Sequence, residues 1–148
     1  MKPLQDKIAI VTGASSPVGI GAAVARRLAG SGARLLLAAD VSPELVAKEC
    51  ADMLGDPNAV LPLVVDLADP AAVAAMVAEA EKRFGRIDLL VNNAAVRINR
   101  MFGEFTAAEF DKAVAVNLRA PFLASQDRQL VIQYARRVYP GARIFERD

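Results

Sequence analysis

Short apolar runs alternate with longer amphipathic segments along most of the chain. The apolar runs are rich in Val, Ile and Leu, and each has the length of a strand that is buried on both faces. They predict five strands, at residues 7–13, 33–40, 59–66, 86–94 and 140–145. The amphipathic segments predict four helices, at residues 20–30, 42–54, 69–85 and 106–118. We expect the fourth helix to kink at Pro121 and to continue towards Tyr139.

Capping residues sharpen the predicted starts of three helices. Ser42 and Asp69 stand where a side-chain oxygen can accept hydrogen bonds from the first free N–H groups of a helix. Pro43 follows Ser42 at a first-turn position that suits proline. Thr106 and Glu109 have the spacing of a capping box, in which each side chain bonds to the backbone of the other residue.

The regular alternation of strands and helices predicts the fold class. It indicates an α/β domain with a doubly wound parallel sheet between two layers of helices. Right-handed connections give the expected strand order 3-2-1-4-5. Pro62 lies inside the third strand and favours an edge position for it, because proline cannot donate a hydrogen bond to a neighbour. We expect residues 1–148 to form one domain.

Composition narrows the class of protein further. The net charge of +1 gives no indication of binding to nucleic acid or to a charged membrane surface. A single cysteine, Cys50, together with an N-terminus that lacks a signal-peptide core, favours a cytoplasmic protein. The chain has no histidine, so we expect no metal site.

A glycine-rich segment, TGASSPVGIG at residues 12–21, follows the first strand; we call it the glycine loop. Glycines allow a tight turn and a close approach of phosphate, and the N–H groups at the start of the next helix can bind an anion. The alternative is an ordinary strand-to-helix turn with no ligand. The residues that we expect to bind a cofactor here are Thr12, Gly13, Ser15, Ser16, Gly19, Ile20 and Gly21.

Polar residues also follow the second, third and fourth strands. Asp40 ends the second strand, where a carboxylate can accept hydrogen bonds from both hydroxyls of a ribose. The Asp66–Leu67 pair ends the third strand, and Asn92 and Asn93 end the fourth. Taken singly, each could be a structural residue of a loop. Because ligands bind at the carboxyl ends of strands in such sheets, the set predicts a nucleotide site.

The motifs and their order resemble those of the short-chain dehydrogenases/reductases. The matching features are TG…GIG after the first strand, the Asp-Leu pair, NNAA at 92–95 for the usual NNAG, and VNLRAPF at 116–122. The resemblance covers roughly residues 5–145. It implies a Rossmann-type fold that ends before the family's last strands. It also implies an oxidoreductase that moves hydride between NAD or NADP and an alcohol or ketone.

The resemblance assigns these residues to parts of the dinucleotide. The glycine loop would surround the pyrophosphate, and Asp40 would contact the adenosine ribose. The Asp66–Leu67 pair would meet the adenine, while Asn92 and Ala94 would lie near the nicotinamide ribose. The loop is two residues longer than the family's Gly-x-x-x-Gly-x-Gly. Asp40 favours NAD. NADP stays the alternative, because Asp40 lies one residue later than the usual NAD-type aspartate.

The family's catalytic tetrad is only partly recognisable. Asn117 matches its helix asparagine, which in the family holds a water in a proton relay. The alternative is a helix residue bonded to neighbouring backbone. The family tyrosine needs a lysine four residues later, but neither Tyr134 nor Tyr139 has one, and the last lysine is Lys112. We therefore expect a truncated family member that binds its cofactor without turnover.

Two other functions stay open from the sequence alone. The chain could be a non-catalytic dinucleotide-binding or regulatory module, or a structural or interaction fragment with no ligand. The resemblance also implies a homo-oligomer, since the fourth and fifth helices form the usual dimer contact of the family.

Overall fold

The structure is a computed structural model, and it describes residues 1–126. The predicted fifth strand at 140–145 and the predicted continuation of the last helix towards Tyr139 lie outside the described residues.

Four parallel strands form the sheet of the described part. They are β1 (Ile8–Thr12), β2 (Arg34–Ala39), β3 (Val60–Val64) and β4 (Leu89–Val91). Their order is β3-β2-β1-β4, and every neighbouring pair is parallel. The first four positions of the predicted order are therefore confirmed. Pro62 lies on β3, at the edge of the sheet, as its missing N–H required.

Helices follow the strands in the predicted alternation. They are α1 (Ile20–Gly30), α2 (Glu44–Leu54), α3 (Pro70–Phe84) and α4 (Ala107–Val114), with a short 3-10 turn at Phe102–Glu104. The chain then passes through a π-helical turn, Ala115–Arg119, into α5 (Ala120–Ala124). In this turn the N–H of Ala120 bonds to the carbonyl of Ala115. The predicted kink near Pro121 thus takes the form of a widened turn just before the proline, which has no N–H to continue the helix.

The capping predictions are confirmed for two helices and wrong for the third. Asp69 accepts a hydrogen bond from the N–H of Ala71 at 2.9 Å. Thr106 and Glu109 form the complete capping box. Ser42 is not the N-cap of α2, because the helix begins at Glu44 and the cap position falls on Pro43, whose side chain has no acceptor.

Two apolar clusters cover the two faces of the sheet. Alternate residues of β1 point to opposite faces, so that Ala9 and Val11 join the cluster under α1 and α2. Ile10 joins the cluster under α3 and α5, with Met76 and Val116. The result is the expected three-layer arrangement. Within residues 1–126, no helix is long and apolar enough to cross a membrane.

Candidate functional site

A cleft of about 760 Å³ opens at the carboxyl ends of the strands. Loops after β1, β2, β3 and β4 form its floor, and α4 with the π-helical turn forms one wall. Its lining residues are Gly13, Ala39, Asp40, Val64, Val65, Asp66, Leu67, Ala68, Ala94, Ala95, Val96, Asp111, Lys112, Ala115 and Val116. The structure therefore brings together residues that the sequence placed after four separate strands.

Two glycines of the glycine loop occupy positions that exclude any side chain. Gly13 has a φ of +70°, and a Cβ on it would lie 2.8 Å from the Cα of Ala94. A Cβ on Gly21 would overlap the carbonyl oxygen of Gly13 and lie 2.7 Å from Nδ2 of Asn93. The start of α1 therefore packs directly against the turn after β1. This close packing fixes the position of the first N–H groups of the helix, which have no partner within it.

The extra residues of the glycine loop form a turn at the surface. The N–H of Gly19 bonds to the carbonyl of Ser16 at 2.9 Å, and Val18 between them is 97% exposed. Gly19 is also the residue that precedes α1 as its N-cap. Of the predicted loop residues, Gly13 alone lines the cleft as it stands. Ser15, Ser16 and Ile20 lie outside that lining.

Thr12 and Asn93 connect the ends of β1 and β4. The hydroxyl of Thr12 donates to the carbonyl of Val91 and accepts from the N–H groups of Asn93 and Ala94, both at 3.1 Å. Nδ2 of Asn93 donates to the carbonyls of Thr12 and Gly13 at 3.0 and 3.1 Å. Through these hydrogen bonds, the two predicted site residues fix the turn after β1. Ala94, the next residue, lines the cleft.

Two acidic residues line the cleft at the ends of β2 and β3. Asp40 is exposed at the end of β2, and its neighbour Ala39 is buried. Oδ1 of Asp66 accepts from the N–H of Ala68 at 2.9 Å, which makes a tight turn after β3. Leu67 in this turn is 8% exposed and gives the cleft an apolar surface. Both predicted positions therefore lie where the sequence placed them.

The side-chain amides of Asn92 and Asn117 both bond to other parts of the protein. Nδ2 of Asn92 lies 3.4 Å from the hydroxyl of Ser125, on α5's C-terminal side. Asn117 lies in the π-helical turn, and its Oδ1 accepts from the N–H of Val96 at 2.7 Å. Its Nδ2 donates to the carbonyl of Val96 at 2.9 Å. Asn117 thus bonds to the backbone of the loop after β4 through both ends of its amide.

The wall formed by α4 contains residues that the sequence did not single out. Asp111 and Lys112 line the cleft one turn before Val116. Asp111 lies five residues and Lys112 four residues before Val116, and this helical spacing was the only signal in the sequence. The capping box fixes the start of this wall. The backbone N–H of Thr106, then its hydroxyl and Arg100, hold the pKa of Glu109 below its usual range, so the carboxylate stays ionised there.

Comparison with known proteins identifies the family. The sequence model of the short chain dehydrogenase family matches residues 7–134. Levodione reductase of Leifsonia aquatica is 47% identical over 121 residues, which cover 80% of this chain and 44% of that protein. D-threitol dehydrogenase of Mycolicibacterium smegmatis is 40% identical over 123 residues, covering 83% of this chain and 46% of that protein.

Solved structures give the same result. A short chain dehydrogenase from Burkholderia cenocepacia in complex with NADP superposes with a TM-score of 0.77 at 37% identity, covering 83% of this chain and 49% of that one. A crystal structure of levodione reductase superposes with a TM-score of 0.77 at 38% identity, covering 91% of this chain and 51% of that one. The chain belongs to the short chain dehydrogenase family, and it spans about half the length of the curated relatives it matches.

Proposed function

We propose that this chain binds a nicotinamide dinucleotide in the cleft, with NAD preferred over NADP. The observation that carries the proposal is that Asp40, the Asp66–Leu67 turn and Gly13 of the glycine loop line one cleft at the carboxyl ends of the strands. The relative from Burkholderia cenocepacia was solved in complex with NADP, which supports a dinucleotide as the ligand class.

The dinucleotide would lie with its adenine between Leu67 and Val116. Both side chains line the cleft, and both are at most 8% exposed, so they offer an apolar slot for a flat base. Asp66, on the same turn, would accept from the amino group of the base. The pyrophosphate would lie against the start of α1, where the glycine loop keeps side chains away and the N–H groups are free.

Asp40 supports the preference for NAD. Its carboxylate, at the end of β2, would accept hydrogen bonds from the ribose hydroxyls and repel the 2′-phosphate of NADP. Among the described residues that line the cleft, Lys112 is the one with a cationic side chain, and it lies on the opposite wall. Several solved relatives hold NADP or NADPH, and NADP is therefore the alternative ligand of this cleft.

We propose that the family reaction is hydride transfer between the nicotinamide and an alcohol or ketone. We propose that these 148 residues bind the cofactor without turnover. The support is that the sequence has no Tyr-x-x-x-Lys pair, and its last lysine is Lys112. The amide of Asn117, moreover, is engaged with the backbone of Val96. Incubation of the purified chain with NAD and a panel of secondary alcohols should give no NADH absorbance, and its appearance would disprove this part.

Calorimetric titration with NAD and with NADP tests the binding proposal. The wild-type chain should bind NAD more tightly than NADP. Asp40→Asn keeps the size of the side chain and removes its charge, so the ratio of the two dissociation constants should move about tenfold or more towards NADP. Asp52→Asn, an exposed position on α2 away from the cleft, is the matched control and should leave the ratio unchanged. No binding of either cofactor at millimolar concentration would overturn the proposal.

A further inference from the structure

A side chain from α1 holds the widened part of the glycine loop. Nη1 of Arg26 donates to the carbonyl oxygen of Pro17 at 2.8 Å. Pro17 lies in the two-residue extension that distinguishes this loop from the shorter Gly-x-x-x-Gly-x-Gly form. Arg26 lies between one and two turns into α1, the helix that follows this loop. The contact therefore connects the extension to the helix that would bind the pyrophosphate.

Glu49 on α2 orients this arginine. Its Oε2 accepts from Nε of Arg26 at 2.9 Å and from Nη2 at 2.6 Å. The guanidinium thus uses one edge for the carboxylate and a further N–H for the loop carbonyl. A planar group with several N–H donors in fixed directions can make both contacts at once, whereas a lysine ammonium on a flexible stem cannot reproduce this geometry.

The extension has little else to fix its conformation. The turn closes through one backbone hydrogen bond, from Gly19 to Ser16. Val18 at its tip is 97% exposed and gains nothing from packing. If the contact with Arg26 is removed, the loop can adopt more conformations, and an anion that binds beside it must then order it at an entropic cost.

We propose that Arg26, oriented by Glu49, is a positioning residue of the dinucleotide site. It fixes the Ser16–Gly19 turn so that the N–H groups at the start of α1 stay exposed to the pyrophosphate. The inference rests on the proposed function, because it assigns a role in binding the phosphates of that ligand. Arg26 itself does not touch the ligand, so its effect should depend on the loop extension and on the presence of phosphate.

The first experiment compares Arg26→Ala with Arg27→Ala. Arg27 lies in the last turn of the same helix, is exposed and carries the same charge, so it controls for lost charge and altered helix propensity. Affinities are measured by calorimetry or ligand-observed NMR for ADP-ribose, which contains the pyrophosphate, and for adenosine, which does not. Arg26→Ala should weaken ADP-ribose binding about fivefold and leave adenosine binding unchanged. Arg27→Ala should change neither.

The second experiment tests whether the effect passes through the loop. Deleting Pro17 and Val18 gives the spacing Gly-x-x-x-Gly-x-Gly and removes the carbonyl that Arg26 contacts. In this shortened chain, Arg26→Ala should no longer weaken ADP-ribose binding. Arg26→Lys in the full-length loop should recover less than half of the loss, because a lysine cannot serve Glu49 and Pro17 together.

Folding of every variant is checked by circular dichroism, and Glu49→Ala carries the test if Arg26→Ala does not fold. It should weaken ADP-ribose binding in the same direction and to a smaller extent. The inference is overturned if Arg26→Ala binds ADP-ribose as Arg27→Ala does, if adenosine binding falls equally, or if the loss persists in the shortened loop. Absence of ADP-ribose binding to the wild-type chain would instead overturn the proposed function together with this inference.

Discussion

At the scale of single residues, the site depends on glycines that have no side chain as much as on side chains that form hydrogen bonds. Gly13 and Gly21 leave room for the turn after β1, the start of α1 and the amide of Asn93 to meet. The hydroxyl of Thr12, 3% exposed, satisfies three backbone groups around that meeting point. Small residues and buried hydrogen bonds together set the position of the glycine loop.

Gly21→Ala should destabilise the fold and the loop together. The new methyl group would overlap the carbonyl oxygen of Gly13 and crowd Nδ2 of Asn93, both of which are tied into the sheet. We expect a loss of about 1–3 kcal/mol in the free energy of unfolding, measured with urea. Gly30→Ala is the control, because its methyl group would meet only the flexible end of Met53 at 3.4 Å. The control should change stability by at most about 1 kcal/mol. Equal stabilities for the two variants would contradict this account.

Sequence patterns predicted which residues gather at the site but not how their side chains are engaged. Motifs after successive strands located Asp40 and Leu67, because the carboxyl ends of parallel strands share one edge. The partner of Asn117 lies 21 residues away in the sequence, and those of Arg26 lie 9 and 23 residues away, so nothing local specifies them. Lys112 was missed because a charged residue on an amphipathic helix gives no sign of facing a cleft.

At the scale of elements, the two ends of the sheet have different tasks. The carboxyl end carries the loops of the cleft. At the other end, Asp88 precedes β4, with its side chain 4% exposed, and ties it to the start of β1. Its carboxylate accepts from the N–H of Ile8 at 2.9 Å and pairs with Lys7 and Arg86. The fourth strand was predicted at 86–94, but β4 covers only Leu89–Val91. The residues on either side of it leave the sheet, and they make such contacts or line the cleft.

The pH dependence of unfolding tests the tie at Asp88. Burial alone would raise its pKa, but the Ile8 N–H, Arg86 and Lys7 outweigh burial and hold the pKa below the ordinary value of 3.8. A carboxyl group with a lowered pKa stabilises the fold above its unfolded pKa, and this stabilisation is lost as the pH falls through the folded pKa.

Asp88→Asn should therefore lower the free energy of unfolding by roughly 1–2 kcal/mol near neutral pH. The difference from wild type should shrink as the pH falls below 3.8. Urea unfolding across the acidic range measures both curves, with Asp52→Asn as the comparison for removing a surface carboxylate. A difference that is constant with pH would refute the assigned role.

At the scale of the whole molecule, the strand alternation, the order β3-β2-β1-β4 and the family membership agree. The widened π-helical turn brings Asn117 to the loop after β4 and so completes the wall of the cleft. The same region could not be predicted in detail, since a regular helix over 106–118 fits the apolar pattern equally well. The central claim is that a dinucleotide binds at the carboxyl edge of this sheet.

Amide chemical-shift mapping with NAD tests that claim most directly. Saturable shifts are expected at Gly13, Leu67 and Ala94, which line the cleft. No shifts are expected at Gly55 and Gly85, which end α2 and α3 at the opposite edge of the sheet. Shifts confined to that opposite edge, or no shifts at millimolar NAD and NADP, would contradict it.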